Sequence, residues 1–423
     1  MTRIRAAQAS FDILSALEDS LPPATRELLQ RVGAIASRSG TALYIVGGPV
    51  RDILLGRHSS DLDLVVEGDA TDLAFELSKT MSGNVVSYSQ FGTATVIVED
   101  GKVDLVTARR EIYRRPGALP TVTPSSIEED LLRRDFTINA MALSLSSPNT
   151  GRLLDPTNGM QDLRSRYIRG LHSETFHDDA TRILRAIRYE RRLGFRVEPK
   201  TRKWLLKALE DDMLKTISGD RLRREVHLLL KEARPIDTLK RAGQLGILRS
   251  LHQPLGAAHW INLLTLQQDQ EDPLLFLAAL IYPLSTQDAE SFIDRLNMPT
   301  RWSTVIRDLV ALRESKDLVA SNDLSNIDLY HILECRSDIA IKALMHLTSS
   351  SVVKGHSRRY LEDLRYIKPL LRGKDLMALG VPMGPEVGQI LRSLKAARLE
   401  GNVHSRKDEK ELVKDYLKTR RCW

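Results

Sequence analysis

The sequence predicts an α+β chain, with a small mixed sheet near the N-terminal end and an all-helical remainder. Short apolar runs at 43–46, 61–66, 84–88, 93–98 and 102–107 read as strands, and a helical stretch at about 70–81 sits among them. From about Asp178 onward, leucine recurs at helical spacing between regular turn signals, with no convincing strand alternation. The 423 residues are ample for a real core in roughly two to four domains. The expected division is a helical lead-in over 1–40, a mixed-sheet head over 41–165 with helices on one face, a helical neck over 166–235, and a helical body and tail over 236–423.

Composition narrows the classes. Lys plus Arg number 62 against 55 for Asp plus Glu, a net charge of +7 that favours a polyanionic partner where it clusters. Cys335 and Cys422 have no ligand-like spacing, which argues against a disulfide framework or a zinc site and fits a reducing cytosol. The first twenty residues carry Arg3 and Arg5 but no apolar h-region. The longest apolar run, 274–284, is too short to span a bilayer, so a soluble cytoplasmic protein is expected. No internal repeat or low-complexity tract occurs.

In chain order, Leu21-Pro22-Pro23 opens a helix through about Ser37, closed by Ser39-Gly40. The run at 43–46 then stops at Gly47-Gly48, Pro49 suits the first turn of a short helix carrying Arg51-Asp52, and Gly56 ends it. The chain re-enters the sheet at Asp61-Leu62-Asp63-Leu64-Val65-Val66. Residues two apart on a strand share a face, so Asp61 and Asp63 lie side by side while Leu62 and Leu64 face the core. Adjacent carboxylates repel unless a cation sits between them, and their hard oxygens suit Mg²⁺, which readily shares phosphate oxygens. Backbone N–H groups of Gly47 and Gly48 at a helix start offer a seat for a triphosphate. The alternative is a solvated Asp-x-Asp at a strand end. Asp104, in Lys102-Val103-Asp104-Leu105, is either a third carboxylate beside that pair, completing the metal site or deprotonating an attacking hydroxyl, or a solvated strand-edge residue.

Residues 108–127 hold Arg109, Arg110, Arg114, Arg115 and three prolines, and are expected to form a mobile loop without a core. In Arg133-Arg134-Asp135-Phe136-Thr137-Ile138-Asn139-Ala140, Asp135 and Asn139 are placed to hold a ribose hydroxyl and phosphate oxygens, and Arg134 would supply charge to a triphosphate. A cap pair and a turn residue are the structural alternative. Leu154-Asp155-Pro156-Thr157-Asn158-Gly159 is turn chemistry leading into a helix, with Asp155 fixing the turn.

Asp178-Asp179-Ala180-Thr181-Arg182 starts another helix, where acidic residues favour the dipole. Asp179 and Arg182 also share a face, so an acceptor and a forked donor could read the edge of cytosine or adenine and leave guanine and uracil unpaired. Arg185 and Arg188 follow on the same helix and are assigned with them to the nucleotide. Gly219-Asp220-Arg221-Leu222-Arg223-Arg224-Glu225 opens a further helix, with Arg221 and Glu225 expected to pair across one turn. The basic run containing Arg191, Arg192, Arg196 and Lys200 is either a solvated helix face or a track for RNA phosphates. Gly380 to Gly388 punctuates a late helix start that suits either an interhelix turn or an RNA backbone contact.

These motifs, in this order, resemble those of the class II tRNA nucleotidyltransferase (CCA-adding enzyme) and bacterial poly(A) polymerase family, and the resemblance covers most of the chain. It implies a nucleotidyltransferase head, with Asp61 and Asp63 holding Mg²⁺ while an RNA 3′-hydroxyl attacks a nucleoside triphosphate. It further implies that Asp179 and Arg182 select CTP and ATP, that the loop at 108–127 takes part in switching between them, and that the turn at Asp155 is a hinge between head and neck. The implied partners are the tRNA 3′ acceptor end, CTP and ATP. Addition of CC alone, of A alone, or of poly(A) shares the same head motifs, and a tRNA-binding protein without catalysis is the reading from another class. Asp178 stands where the family usually has Glu.

Overall fold

The computed structural model describes residues 17, 20–58, 62–88, 92–99, 101–113, 115, 117, 118, 120–256 and 272–421. Asp61, Arg114, Cys422 and nearly all of the lead-in before residue 20 lie outside them. Helix α1 (Pro23–Arg38) begins with proline in its first turn and buries Leu28, Leu29, Val32, Ile35 and Ala36 along one stripe. Strand β1 (Ala42–Val46) follows, then α2 (Gly48–Leu54) and β2 (Leu64–Glu67). Helix α3 (Ala70–Met81) is capped by Asp69, whose side chain accepts from Thr71 N at 2.7 Å. It covers the face formed by β3 (Asn84–Tyr88), β4 (Thr93–Val98) and β5 (Gly101–Thr107).

Beyond β5 the chain departs from expectation. Residues expected to form a coreless loop instead make a hairpin, β6 (Arg109–Ile112) and β7 (Thr121–Pro124), with Arg110 opposite Thr123 and Ile112 opposite Thr121. Both ends are anchored, because Ala108 and Ile127 are buried in an apolar cluster with Tyr44, Val46, Val65, Leu131 and Ala142. That cluster is roofed by α4 (Ile127–Leu132), so the sheet is covered on its second face too, where only one covered face was expected. The same cover explains why Leu64, Val65 and Val66 are all buried instead of alternating. With β8 (Ala142–Ser144) and β9 (Leu153–Leu154), the sheet order is β3-β4-β5-β2-β1-β8-β9, with β2 and β5 parallel and the other neighbours antiparallel.

The passage from sheet to helices is fixed by two carboxylates. Asp155 accepts from Gly159 N at 2.6 Å and Met160 N at 2.9 Å, holding the start of α5 (Gly159–Ser165). Buried Asp162 accepts from Thr137 Oγ1 at 2.6 Å and Arg169 Nε at 2.9 Å. The helices α6 (Thr175–Asp178), α7 (Thr181–Leu193), α8 (Pro199–Glu210), α9 (Gly219–Leu230), α10 (Pro235–Gln244) and α11 (Ile247–Leu251) follow. The region is not wholly helical: Tyr167–Ile168 pairs in parallel with Arg196–Val197.

The chain divides into two compact units, residues 1–251 and 252–423. Within the second, α12 (Pro273–Ile281) is buried from Leu274 to Ile281 and packs with α13 (Thr300–Glu314) and α14 (Asp338–Leu347). A smaller cluster of Leu371, Leu376, Val381, Ile390, Leu394 and Val413 holds α15 (Pro385–Leu399) and α16 (Arg406–Arg421). Among the described residues, no helix is long and apolar enough to cross a membrane.

Gly159 marks the tightest approach in this frame, since a Cβ there would lie 2.2 Å from Thr137 O. Gly159→Ala is therefore expected to destabilise the first unit by about 1–3 kcal/mol, because backbone must shift to admit the methyl. Chemical denaturation followed by tryptophan fluorescence measures this, and the midpoint should fall.

Candidate active site

At the end of β1, Gly47 turns the chain with φ 74 and ψ −127, a conformation that strongly favours glycine. Its N–H donates to Met141 O at 3.1 Å, so of the two backbone groups read as a phosphate seat, one already has a partner. A Cβ on Gly47 would lie 2.7 Å from Arg134 Nη1. That close approach brings the Arg134 guanidinium over the turn.

Gly48, Asp63, Arg134, Asp135, Asn139, Asp179, Arg182 and Arg185 all line one cavity of about 390 Å³, so residues from both the sheet and the helices meet there. Asp63 is exposed at the start of β2, and its backbone carbonyl accepts from Val46 N at 3.0 Å. Arg51 and Arg188 are buried just behind the lining. Arg51 donates to Asn139 Oδ1 at 2.7 Å and to both oxygens of Asp52 at 2.9 Å.

Asp135 is the junction. Its Oδ1 accepts from Phe136 N at 2.8 Å and Asn139 Nδ2 at 3.0 Å, and its Oδ2 accepts from Arg185 Nε at 2.8 Å and is ion-paired with Nη2 at 2.6 Å. Burial alone would raise this carboxyl's pKa, but the Arg185 guanidinium and the Asn139 amide together hold it below the ordinary range. The same pairing raises Arg185. Arg185 also stands 3.7 Å from Glu225 Oε1, and Arg188 donates to Glu225 Oε2 at 3.2 Å. Thus Glu225 pairs with α7, while Arg221 reaches Asp179 Oδ1 at 2.8 Å. The expected Arg221–Glu225 pair along one helix is replaced by two pairs between helices, because both side chains face α7. The guanidinium carbons of Arg51, Arg185 and Arg188 gather around Tyr189 at 5.2, 5.5 and 5.2 Å from its ring centre.

The pair read as base-selecting is held firmly on one side. Asp179 Oδ1 accepts from Thr181 N at 3.0 Å and Thr181 Oγ1 at 2.7 Å. Arg182 is buried, with Nη1 donating to Thr175 Oγ1 at 2.7 Å and Nη2 to Arg133 O at 2.7 Å. The neighbouring Asp178 lies 3.6 Å from His172 Nε2 and is not part of the cavity lining.

Asp104 is not in the lining. It is exposed on β5, accepting from Thr95 Oγ1 at 2.6 Å and pairing with Lys102 at 2.8 Å. Burial would raise its pKa, but those two partners keep it low. The register pairing Leu64 with Leu105 nevertheless sets the positions just before them, Asp63 and Asp104, at the same end of adjacent strands.

Other lining residues were assigned no such role from sequence. Arg109, Glu111, Tyr113 and Pro120 come from the hairpin, and Arg133 joins them. Glu111 accepts from Arg133 at 2.7 Å, Arg109 at 3.1 Å and Tyr113 Oη at 2.8 Å. Burial, then the Glu111 charge, pushes the Tyr113 hydroxyl well above its ordinary pKa. Fully buried Asp130 takes both Arg133 and Arg134, which outweigh burial and keep it ionised to lower pH. The arginines were legible as a basic run; their acid partners were not.

Of the basic residues assigned to RNA, Arg192 is gripped by Glu232 at 2.5–3.1 Å and Arg191 stands 3.8 Å from Asp237. Arg196 and Lys200 are exposed, Lys200 lying 5.4 Å from the Trp204 ring centre. A second cavity of about 870 Å³ is lined by Arg191, Arg196, Arg202, Lys203, Arg234 and Arg241 with Glu190, a strongly basic groove.

Residues 43–169 match the poly(A) polymerase head domain, and residues 194–257 match the probable RNA- and SrmB-binding site of polymerase A. The A-adding tRNA nucleotidyltransferase of Halalkalibacterium halodurans is 31% identical, covering 96% of each chain. The chain belongs to the tRNA nucleotidyltransferase family. The A-adding member from Geobacter sulfurreducens is 33% identical over 95% of this chain, which spans only 48% of that relative's length. Among solved structures of the family, a CCA-adding enzyme in apo form II superposes with a TM-score of 0.81 at 28% identity, covering 96% of this chain and 99% of that one. The Thermotoga maritima CCA-adding enzyme complexed with tRNA gives 0.75 at 28% identity, covering 96% and 98%. The α+β architecture read from the sequence is that of these members.

The Gly47 turn yields a direct test. Gly47→Ala should cost about 1–3 kcal/mol of stability, because the methyl is strained at this φ and ψ and must displace Arg134. A thermal melt measures this, and the midpoint should fall.

Proposed function

We propose that the protein adds CMP and AMP from CTP and ATP to the 3′ end of tRNA without a nucleic-acid template, building or repairing the CCA terminus. The observation that carries this reading is the single cavity in which an exposed carboxylate, Asp63, meets arginines of the head, Arg182 of α7, and Asp179 in the extended link just before α7, which begins at Thr181 and not at Asp178 as the sequence suggested. In the proposed reaction the tRNA 3′-hydroxyl oxygen loses its proton to water and bonds to the α-phosphorus, the bond to the bridging oxygen breaks, and pyrophosphate leaves with the displaced electron pair. Arg134 and Arg185 would neutralise triphosphate charge, and Gly48 would let its backbone approach the phosphates. Asn139, steered by Arg51 and Asp135, would hold the ribose.

A divalent cation fits the donor set. Asp63 is exposed and lines the cavity, and a carboxylate offers the hard oxygens that such an ion prefers. A small hard cation held by one or two carboxylates is commonly completed by substrate phosphates and water. Asp63 with Asp61 would hold Mg²⁺, and the bound ion would lower the pKa of the attacking hydroxyl and offset the leaving charge. Asp104, at the same end of the neighbouring strand, is proposed to orient the hydroxyl. Asp179 would accept from the exocyclic amine of cytosine or adenine, and Arg182 would donate to the ring nitrogen beside it. Arg196 and Arg191, which line the basic groove, and Lys200 and Arg192 are proposed to follow RNA phosphates.

A second reading, addition of AMP alone, is favoured by the two relatives above at 31% and 33% identity, both named as A-adding enzymes. One experiment decides between them. Purified protein with Mg²⁺ is offered tRNAs ending at the discriminator base, after one C, or after CC, with CTP or ATP separately. CCA addition predicts CMP transfer to the first two and AMP transfer to the third, all abolished by Asp63→Ala. AMP transfer to the CC-ended tRNA alone establishes the second reading, and persistent turnover in Asp63→Ala would sink the metal assignment.

A further inference from the structure

Glycine is among the residues least suited to the interior of a helix, so its presence there needs a reason. In α1, Gly33 has one, because a Cβ would lie 2.6 Å from the carbonyl oxygen of Leu145. Gly355 has none inside the chain. It stands in the middle of the helix Ser351–Glu362, in the second compact unit, and a Cβ there would meet nothing within 4 Å. That helix buries Val353, Ser357 and Tyr360, and Gly355 lies on the opposite, exposed face. Arg358 and Arg359 leave the helix one turn later, on either side of Gly355, and helical side chains lean back toward the N-terminus. Lys354 stands beside them, and all three cations are exposed. Among the described residues no ion pair engages any of the three, although Glu362 follows on the same face. Arg359, in the last turn, suits the helix dipole, but the dipole does not account for a missing side chain at 355.

We propose that this notch, Gly355 framed by Lys354, Arg358 and Arg359, is a seat for the sugar–phosphate backbone of the RNA substrate on the second unit. The proposal rests on the reading of RNA as the substrate. The arginine forks match phosphate oxygens, and the absent side chain lets the RNA backbone come close to the helix surface between them. Charge complementarity selects the occupant, because three exposed cations without carboxylate partners attract a polyanion. Cations of this kind address phosphates and not base edges, so the contact holds the RNA in place without reading its sequence. The glycine is then a cost in helix stability that is returned when the RNA binds.

The test measures equilibrium binding of a CC-ended tRNA transcript to the full chain, without nucleotide, across a salt series and beside a thermal melt. Gly355→Gln fills the notch with a good helix former. It is expected to raise the melting midpoint by about 1–3 °C and yet to weaken tRNA binding by about tenfold. A merely structural glycine would not move the two readouts in opposite directions. Gly355→Ala, the smaller filling, should lie between wild type and Gly355→Gln in affinity. The double variant Arg358→Gln with Arg359→Gln should also bind more weakly, and its plot of log affinity against log salt should be shallower by about 2. Wild-type affinity and slope in both Gly355→Gln and the double variant overturn the proposal. If these variants instead lose binding to phosphatidylglycerol vesicles while tRNA affinity holds, the patch serves a lipid surface and the proposal is equally overturned. Because no nucleotide is present, a wild type that binds tRNA through this notch but transfers nothing would sink the proposed activity and leave the seat standing.

Discussion

Everything in the cavity depends on the buried ion pair between Asp135 and Arg185. Asp135 lies just after the helix that roofs the sheet, and Arg185 lies on the second turn of α7, fifty residues later. A hydrogen bond from Nε at 2.8 Å and an ion-pair contact of Nη2 at 2.6 Å join them, with the carboxylate 5% and the guanidinium 31% exposed. Desolvating both ions is costly, and the pair persists because every remaining lone pair finds a donor: Phe136 N and Asn139 Nδ2 complete Asp135. Removing Arg185 would leave the Asp135 carboxylate buried without its cation, at a cost below the roughly 3–5 kcal/mol of a fully buried pair, because the guanidinium is partly open to solvent.

That pair propagates outward in both directions. Toward the sheet, Asn139 passes the constraint to Arg51, which is locked against Asp52 at the end of the Gly47 turn. Toward the helices, Arg185 and Arg188 share Glu225, and Tyr189 separates three guanidinium groups that would otherwise repel one another. Cations sit against the ring's negative face, so the tyrosine helps concentrate positive charge where a triphosphate would lie. The cavity is therefore preorganised for an anion before any nucleotide arrives.

Much of this was legible in the chain, and what was not has a physical reason. The Gly-Gly turn, the strand re-entry at Asp63 and the Arg-Arg-Asp-Phe-Thr-Ile-Asn-Ala octet are compact patterns that local spacing reveals, although the partners of Asp135 and Asn139, Arg185 and Arg51, lie far along the chain. The turn at Asp155 is of the same kind. The hairpin at Arg109–Ile112 and Thr121–Pro124 was hidden because its pairs are mostly exposed and polar, and three prolines obscure the pattern. Arg221 and Glu225 stand four apart, which invites a pairing along one helix, but both side chains turn toward α7. Likewise the basic run of the neck looks uniform in sequence, whereas Glu232 grips Arg192 and leaves Arg196 exposed. Sequence spacing speaks for contacts within one turn or one strand, and ion pairs between distant elements lie outside its reach.

Asp135 and Arg185 should therefore act as one unit that assembles the cavity, the proposed nucleotide site, from sheet and helices. A double-mutant cycle with Asp135→Asn, Arg185→Met and both together tests this most directly, read out by ATP affinity and by urea denaturation. The single variants should each weaken both quantities. The double variant should be no worse than the more damaged single, a coupling of about 1–3 kcal/mol in stability. Additive effects in both readouts would contradict the account, because two independent residues would then be sharing a contact without depending on it.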